Sequence, residues 1–156
     1  MRHRLREYRN AAPKLRSLSW REWRDLWAAQ FALVVAQWRV WTKAQGRLTT
    51  SAADPVPAFV PPEDSVTRSR ALALAVRRAA FFGLFRPACL VRSVALCRLM
   101  ERHGIRHAVV RVGVVVSRGR FQAHAWVDYG GVILGDDPEH VADYETLSGV
   151  SVLHAD

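Results

Sequence analysis

Apolar residues recur at helical spacing between residues 20 and 41. Trp20, Trp23, Trp27, Phe31, Val34, Trp38 and Trp41 follow one another at intervals of 3, 4, 4, 3, 4 and 3, one continuous stripe on a helix. Ser19, with Glu22 three residues later, is a capping box that starts the helix, and Gly46 ends the pattern. Arg21, Arg24, Asp25 and Arg39 fall off the stripe. So many rings in one line call for burial. The expectation is packing onto the rest of the chain, with docking to a partner protein or a membrane surface as the alternative.

The next stretch, 47–65, holds Pro55, Pro57, Pro61 and Pro62 among Thr, Ser, Ala and Asp, which predicts a linker or an extended strap. Asp64 or Ser65 can cap a second helix carrying Val66, Leu72, Leu74, Val76, Ala79 and Phe82, which breaks near Gly83. A third helix is expected from Pro87, since proline suits a first turn. It carries Leu90, Val94, Leu96, Cys97, Leu99 and Met100 and stops at Gly104.

From residue 108 the pattern changes. Ala108 to Val116 is β-branched and almost wholly apolar, as in a central strand covered on both faces. Ser117–Arg120 is a turn, Phe121 to Asp128 a second strand, Tyr129-Gly130-Gly131 a second turn and Val132 to Asp136 a third strand. Leu147 to Leu153 is a candidate for a last one. Helices followed by an antiparallel meander make an α+β fold.

Composition narrows the class. A chain of 156 residues, half hydrophobic and 24% charged, suits a single enzyme-sized core and not disorder. The balance of 23 Lys plus Arg against 14 Asp plus Glu fits an anionic partner or a solvated arginine-rich surface. Two cysteines, Cys89 and Cys97, are no disulfide framework. Eight residues apart on one helix, their α-carbons stand about 12 Å apart, too far to bridge. No zinc spacing and no signal peptide are visible, and the apolar run from Leu26 to Trp38 is too short to span a bilayer. A reducing cytoplasm is the expected setting.

Cysteine, histidine and aspartate then stand out by order. Cys89 falls in the first turn of its helix, where free backbone N–H groups and the helix dipole favour a thiolate and can donate to an oxyanion. Cys97 lies two turns deeper among leucines, as a buried inert thiol. His124 lies mid-strand, on one face with Gln122, Trp126 and Asp128. Hairpin counting proposes its partner. A three-residue loop Tyr129-Gly130-Gly131 pairs Asp128 with Val132 and puts Asp136 opposite His124. A two-residue Gly130-Gly131 loop puts Asp137 there instead. Asp136 ranks first and Asp137 stays open. Asp128, four residues along the strand, stands ~13 Å from His124 and is a poor candidate. A nucleophile, a base and an orienter make a thiol acyl-transfer triad. His3, His103, His107, His140 and His154 do not gather into a metal site.

Several motifs carry a family resemblance: Cys89-Leu90-Val91-Arg92-Ser93, Arg102-His103-Gly104, Val112-Gly113-Val114, and Phe121-Gln122-Ala123-His124-Ala125-Trp126-Val127 followed by Asp136. In that order and spacing, over roughly residues 70–153, the chain resembles the lasso peptide biosynthesis B protein, the leader peptidase of lasso-peptide pathways. The resemblance implies a transglutaminase-like, papain-related fold with the nucleophile at a helix N-terminus. It maps nucleophile, base and acid to Cys89, His124 and Asp136, in agreement with the three-residue loop. It implies a cysteine endopeptidase that cuts a precursor peptide between leader and core. The partners implied are a separate leader-binding protein and an asparagine-synthetase-like cyclase. Nucleic acid is not among them, and peripheral membrane contact is a minor alternative. Some members involve ATP, but no phosphate-binding glycine loop is present, so no cofactor and no metal are expected.

The division expected is a basic N-terminal region with the tryptophan-rich helix over 1–46, the linker over 47–65 and the peptidase core over 66–156. Two other functions stay open: a transglutaminase-type acyl transferase, and a non-catalytic module that docks through its basic helix.

Overall fold

The structure is a computed structural model that describes residues 19–43, 59–117 and 119–147. The basic N-terminus, most of the proline-rich segment, Arg118 and all but Leu147 of the strand expected over Leu147–Leu153 lie outside the described residues. Helix α1 spans Trp20–Lys43. Its capping box forms as expected. The Ser19 amide donates to Glu22 Oε2 at 2.9 Å, and the Glu22 amide returns to Ser19 Oγ at 3.4 Å. Helix α2, Glu63–Phe82, starts directly after Pro62, with Glu63 and Asp64 in its first turn to complement the dipole. Helix α3 spans Cys89–Arg102. It ends in a Schellman motif: Gly104 at φ +75° donates to the Glu101 carbonyl, and Ile105 donates to Met100.

Strands β1 (Ala108–Ser117), β2 (Arg120–Tyr129) and β3 (Val132–Leu134) form an antiparallel meander. A five-residue helix α4, Pro138–Ala142, leads to a short strand β4, Glu145–Thr146. β4 pairs antiparallel with β1, so the sheet order is β3-β2-β1-β4 and β1 is internal as expected. It is not covered on both faces, however: of its valines only Val110 is buried, and Val116 is 70% exposed, because the helices pack on one side of the sheet. The α+β class expected from the sequence is what forms. The third strand is shorter than expected because Gly135, at φ +81°, turns the chain out of the sheet.

The tryptophan stripe does not pack inward. Trp20, Trp27, Trp38 and Trp41 are 84%, 69%, 68% and 74% exposed, and Trp23, Phe31 and Val34 are exposed with them. The opposite face of α1, with Ala29, Ala32, Leu33 and Ala36, is the buried one. The reason is steric: small side chains let α1 approach α2 and α3 closely, and one helix cannot bury both faces against the same pair. At Gly83, just past the end of α2, an added Cβ would collide with the Gln30 side chain of α1. Polar ties reinforce the inner face. Asp25, 5% exposed, takes two bonds from the Arg68 guanidinium at 2.7 and 3.0 Å. Arg68 also meets His103 Nε2 at 3.0 Å, and His103 Nδ1 donates to the Leu99 carbonyl. One network thus joins all three long helices. Below it, Leu72, Val76, Leu96, Leu99 and Met100 pack against Val110, Ala125, Val127 and Leu134 of the sheet.

Candidate active site

Pro87 and an extended Ala88 (ψ 164°) hold the chain straight up to the helix, so Cys89 is the first residue of α3. Pro87 therefore precedes the helix and does not sit in its first turn. The first backbone bond of the turn runs from the Arg92 amide to the Ala88 carbonyl at 3.1 Å. The amides of Cys89, Leu90 and Val91 are left without intrahelical acceptors. Cys89 is half-buried and free. Ser93, one turn on, is buried, with Oγ 3.1 Å from the carbonyl oxygens of both Cys89 and Ala125. That shared hydroxyl ties the start of α3 to strand β2 beside His124.

Cys97 differs in every respect. It is buried in the core, its Sγ lies 3.8 Å from the Ala108 carbonyl, and burial pushes its pKa up to about 12.

His124 Nε2 donates to Asp136 Oδ2 at 2.5 Å. The sequence ranked this aspartate first but for the wrong register. Tyr129 pairs with Val132, which makes Gly130-Gly131 a two-residue loop, both glycines at positive φ (58° and 85°), as a type I′ hairpin demands. Extended along β3, that register would bring Asp137 opposite His124. Strand pairing stops at Leu134, however, and the turn at Gly135 lets Asp136 reach the histidine. The second oxygen of Asp136 accepts the Asp137 amide at 2.8 Å, which fixes the carboxylate. Asp137 instead caps α4, accepting from the Glu139 amide at 3.1 Å. Asp128 is engaged elsewhere, with Arg111 at 3.4 Å and the Gly131 amide at 2.9 Å.

Rings surround His124. Trp126 lies roughly parallel to it at 6.3 Å, and Tyr144 and His140 are each 5.2 Å away. Trp126 is buried over Gly113, the register partner of His124; a Cβ there would meet the indole at 2.7 Å. The sequence missed His140 and Tyr144. The available signal was Asp137-Pro138-Glu139, an N-cap with proline behind it, which starts a helical turn and folds His140 back over Asp136. His124, Asp136 and His140 each present one donor atom, all within 4.8 Å of one another. The histidines were not expected to gather in this way. Two imidazoles and a carboxylate are a donor set that a zinc-type ion accepts. The hydrogen bond between His124 and Asp136 already accounts for two of the three.

Cys89, Arg92, Ser93, Trp126, Gly135 and Asp136 line one cavity. A wider groove adjoins it, lined by His124, His140, Arg70, Arg77, Arg92 and Asp136 among others. Arg92 and Asp136 belong to both. Arg92 Nε is buried with no hydrogen-bond partner. Among the described residues no hydrogen bond joins the Cys89 thiol to His124. Cys89 lines the cavity and His124 the groove, and the two hollows share Ala73, Arg77, Arg92, Leu134, Gly135 and Asp136. With Nε2 given to Asp136, Nδ1 of His124 is the nitrogen left to take a proton.

No curated protein and no solved structure gives a significant match to the chain. No helix among the described residues is long and apolar enough to cross a membrane. One family model does match, that of the transglutaminase-like superfamily, over residues 30–149, which takes in the second half of α1 and every later described element. The chain belongs to the transglutaminase-like superfamily.

Proposed function

We propose that the chain is a cysteine peptidase that removes the leader from a ribosomally made lasso-peptide precursor. The observation that carries the proposal is the Asp136–His124 hydrogen bond beside a cavity lined by Cys89. The superfamily supplies the general chemistry, thiol-based peptide hydrolysis or acyl transfer. The motifs Cys89-Leu90-Val91-Arg92-Ser93 and Ala123-His124-Ala125-Trp126-Val127 support the narrower substrate. The partners proposed with it are a leader-binding protein and a cyclase, in a cytoplasmic setting.

In this mechanism His124 Nδ1 takes the proton of the Cys89 thiol. The thiolate attacks the carbonyl carbon of the last leader residue, and the oxyanion is met by first-turn amides, that of Cys89 first. The C–N bond breaks as His124 returns its proton to the departing core amine. Water, deprotonated by His124, then opens the thioester and frees the thiol. Asp136 orients the imidazole and stabilises its charged form.

Product chemistry tests the proposal. Purified chain, precursor and leader-binding partner are incubated together, and the products are weighed by mass spectrometry. Leader with a new carboxylate and core with a new amine are expected. Joining of a glutamine side chain to a lysine, without chain scission, would indicate a transglutaminase-type acyl transferase instead.

A further inference from the structure

The exposed stripe on α1 is not used by the chemistry above. Seven apolar side chains, five of them tryptophans, run the length of a 24-residue helix of about 36 Å and face solvent. At roughly 200 Å² per ring the exposed aromatic surface is on the order of 700 Å², above the usual largest patch of a soluble monomer. Such a patch marks a surface that something covers.

The charges around it say what. The carboxylates of α1 are turned away from the stripe: Glu22 pairs with Arg78 at 3.1 Å, and Asp25 with Arg68. Arg24 also reaches Asp25, at 3.8 Å, but its side chain stays 61% exposed. Arg21 and Arg24 are exposed on the outer side of the helix, and Arg102 of α3 lies over the Phe31 ring at 5.8 Å. Arg98 stands close enough to Arg39 and Arg102 that these cations, after burial itself, lower its pKa, with Glu101 partly offsetting them. The sequence ahead of the helix, residues 1–18, adds Arg2, Arg4, Arg6, Arg9, Lys14 and Arg16 against Glu7 alone.

We propose that this face docks on an anionic lipid surface. The helix would lie in the plane of the membrane, tryptophans at the headgroup level and arginines against lipid phosphates. Tryptophan and arginine are the residues that the bilayer interface favours. An apolar face plus a polybasic segment supplies the two signals that stable peripheral attachment needs. A second copy is a poorer occupant, since it brings the same arginines and a formal charge of +9 against their like.

The test uses the full chain with vesicles of phosphatidylcholine, with and without phosphatidylglycerol. Five of the six tryptophans lie on the stripe, so their emission reports on it. Cosedimentation should be about tenfold or more stronger with phosphatidylglycerol, with emission shifted to the blue and quenched by lipids brominated near the headgroup. Trp27→Glu with Trp38→Glu should weaken binding about tenfold or more while the circular dichroism of the chain stays unchanged. Quenching in the wild-type chain is read without any variant, so a folding defect does not blur the outcome. Three results overturn the proposal: vesicle binding without quenching, which is charge adsorption alone; no vesicle binding; or a dimer in solution that the two tryptophan substitutions dissolve.

Discussion

Asp136 meets His124 at 2.5 Å although the two are not register partners in the sheet. The contact depends on strand β3 ending at Leu134 and on the turn at Gly135, not on cross-strand pairing. Neighbouring carboxylates therefore have separable duties. Asp136→Asn should lower turnover by about 10³–10⁴, because an amide no longer supports the imidazolium. Asp137→Ala should leave turnover near wild type and cost about 1 kcal/mol of stability, the usual loss of an N-cap. Steady-state kinetics and urea denaturation of both variants check this. Equal kinetic losses would mean that the carboxylates share the role.

The outline of this fold was legible in the sequence where local signals were strong. The Ser19–Glu22 box, the breaks at Gly83 and Gly104 and the internal β1 all follow from capping, turn and burial chemistry at those residues. Cys89 at a helix start and His124 on a strand were legible for the same reason. The hairpin register was not, because Tyr129-Gly130-Gly131 supports two loop lengths and only pairing in three dimensions chooses Tyr129 with Val132. Asp136 was ranked first with a register that does not form. The outward stripe was illegible for a different reason: periodicity says that α1 has an aromatic face and a small-residue face, not which one the domain covers. His140 and Tyr144 reach the site through a five-residue helix too short to carry a periodic signal.

Gly113 is set by the indole of Trp126. An added Cβ would fall 2.7 Å from the ring, and 2.9 Å from Tyr144 Cβ on the other side. Gly113→Ala should push Trp126 toward His124 and cost roughly 1–3 kcal/mol, the range for overpacking. Turnover should fall as the ring shifts. Thermal unfolding and kinetics are the readouts; unchanged values in both would mean that the sheet yields there freely.

The Asp25–Arg68 pair sits under α1 with its carboxylate buried. Arg68→Met removes the close cation and leaves the buried carboxylate only Arg24, 3.8 Å away, at a cost of about 2–4 kcal/mol, discounted because Arg68 is itself partly exposed. Asp25→Asn combined with Arg68→Met should recover part of the loss. A chemical-denaturation cycle over the four proteins measures the coupling directly.

The two thiols should separate by reactivity. In the native chain iodoacetamide should modify Cys89 and spare Cys97, with Cys97 reacting only in denaturant. Cys97 also sets an alkaline limit. Burial pushes its pKa from the ordinary 9.0 up to about 12, so its contribution to stability is complete below pH 9 and is lost as pH rises toward 12. The slope reaches at most about 1.4 kcal/mol per pH unit. Cys97→Ala should flatten it. Mass spectrometry of labelled peptides and unfolding curves at several alkaline pH values are sufficient.

The identity of the nucleophile is tested most directly by the cleavage rate of precursor peptide with Cys89→Ala beside the wild-type chain, both saturated with leader-binding partner. Loss of cleavage by a factor of about 10⁴ or more, with the fold intact by circular dichroism, is the expected result. Cleavage by Cys89→Ala at the wild-type rate would contradict it, and with it the assignment of His124 and Asp136 as its base and orienter.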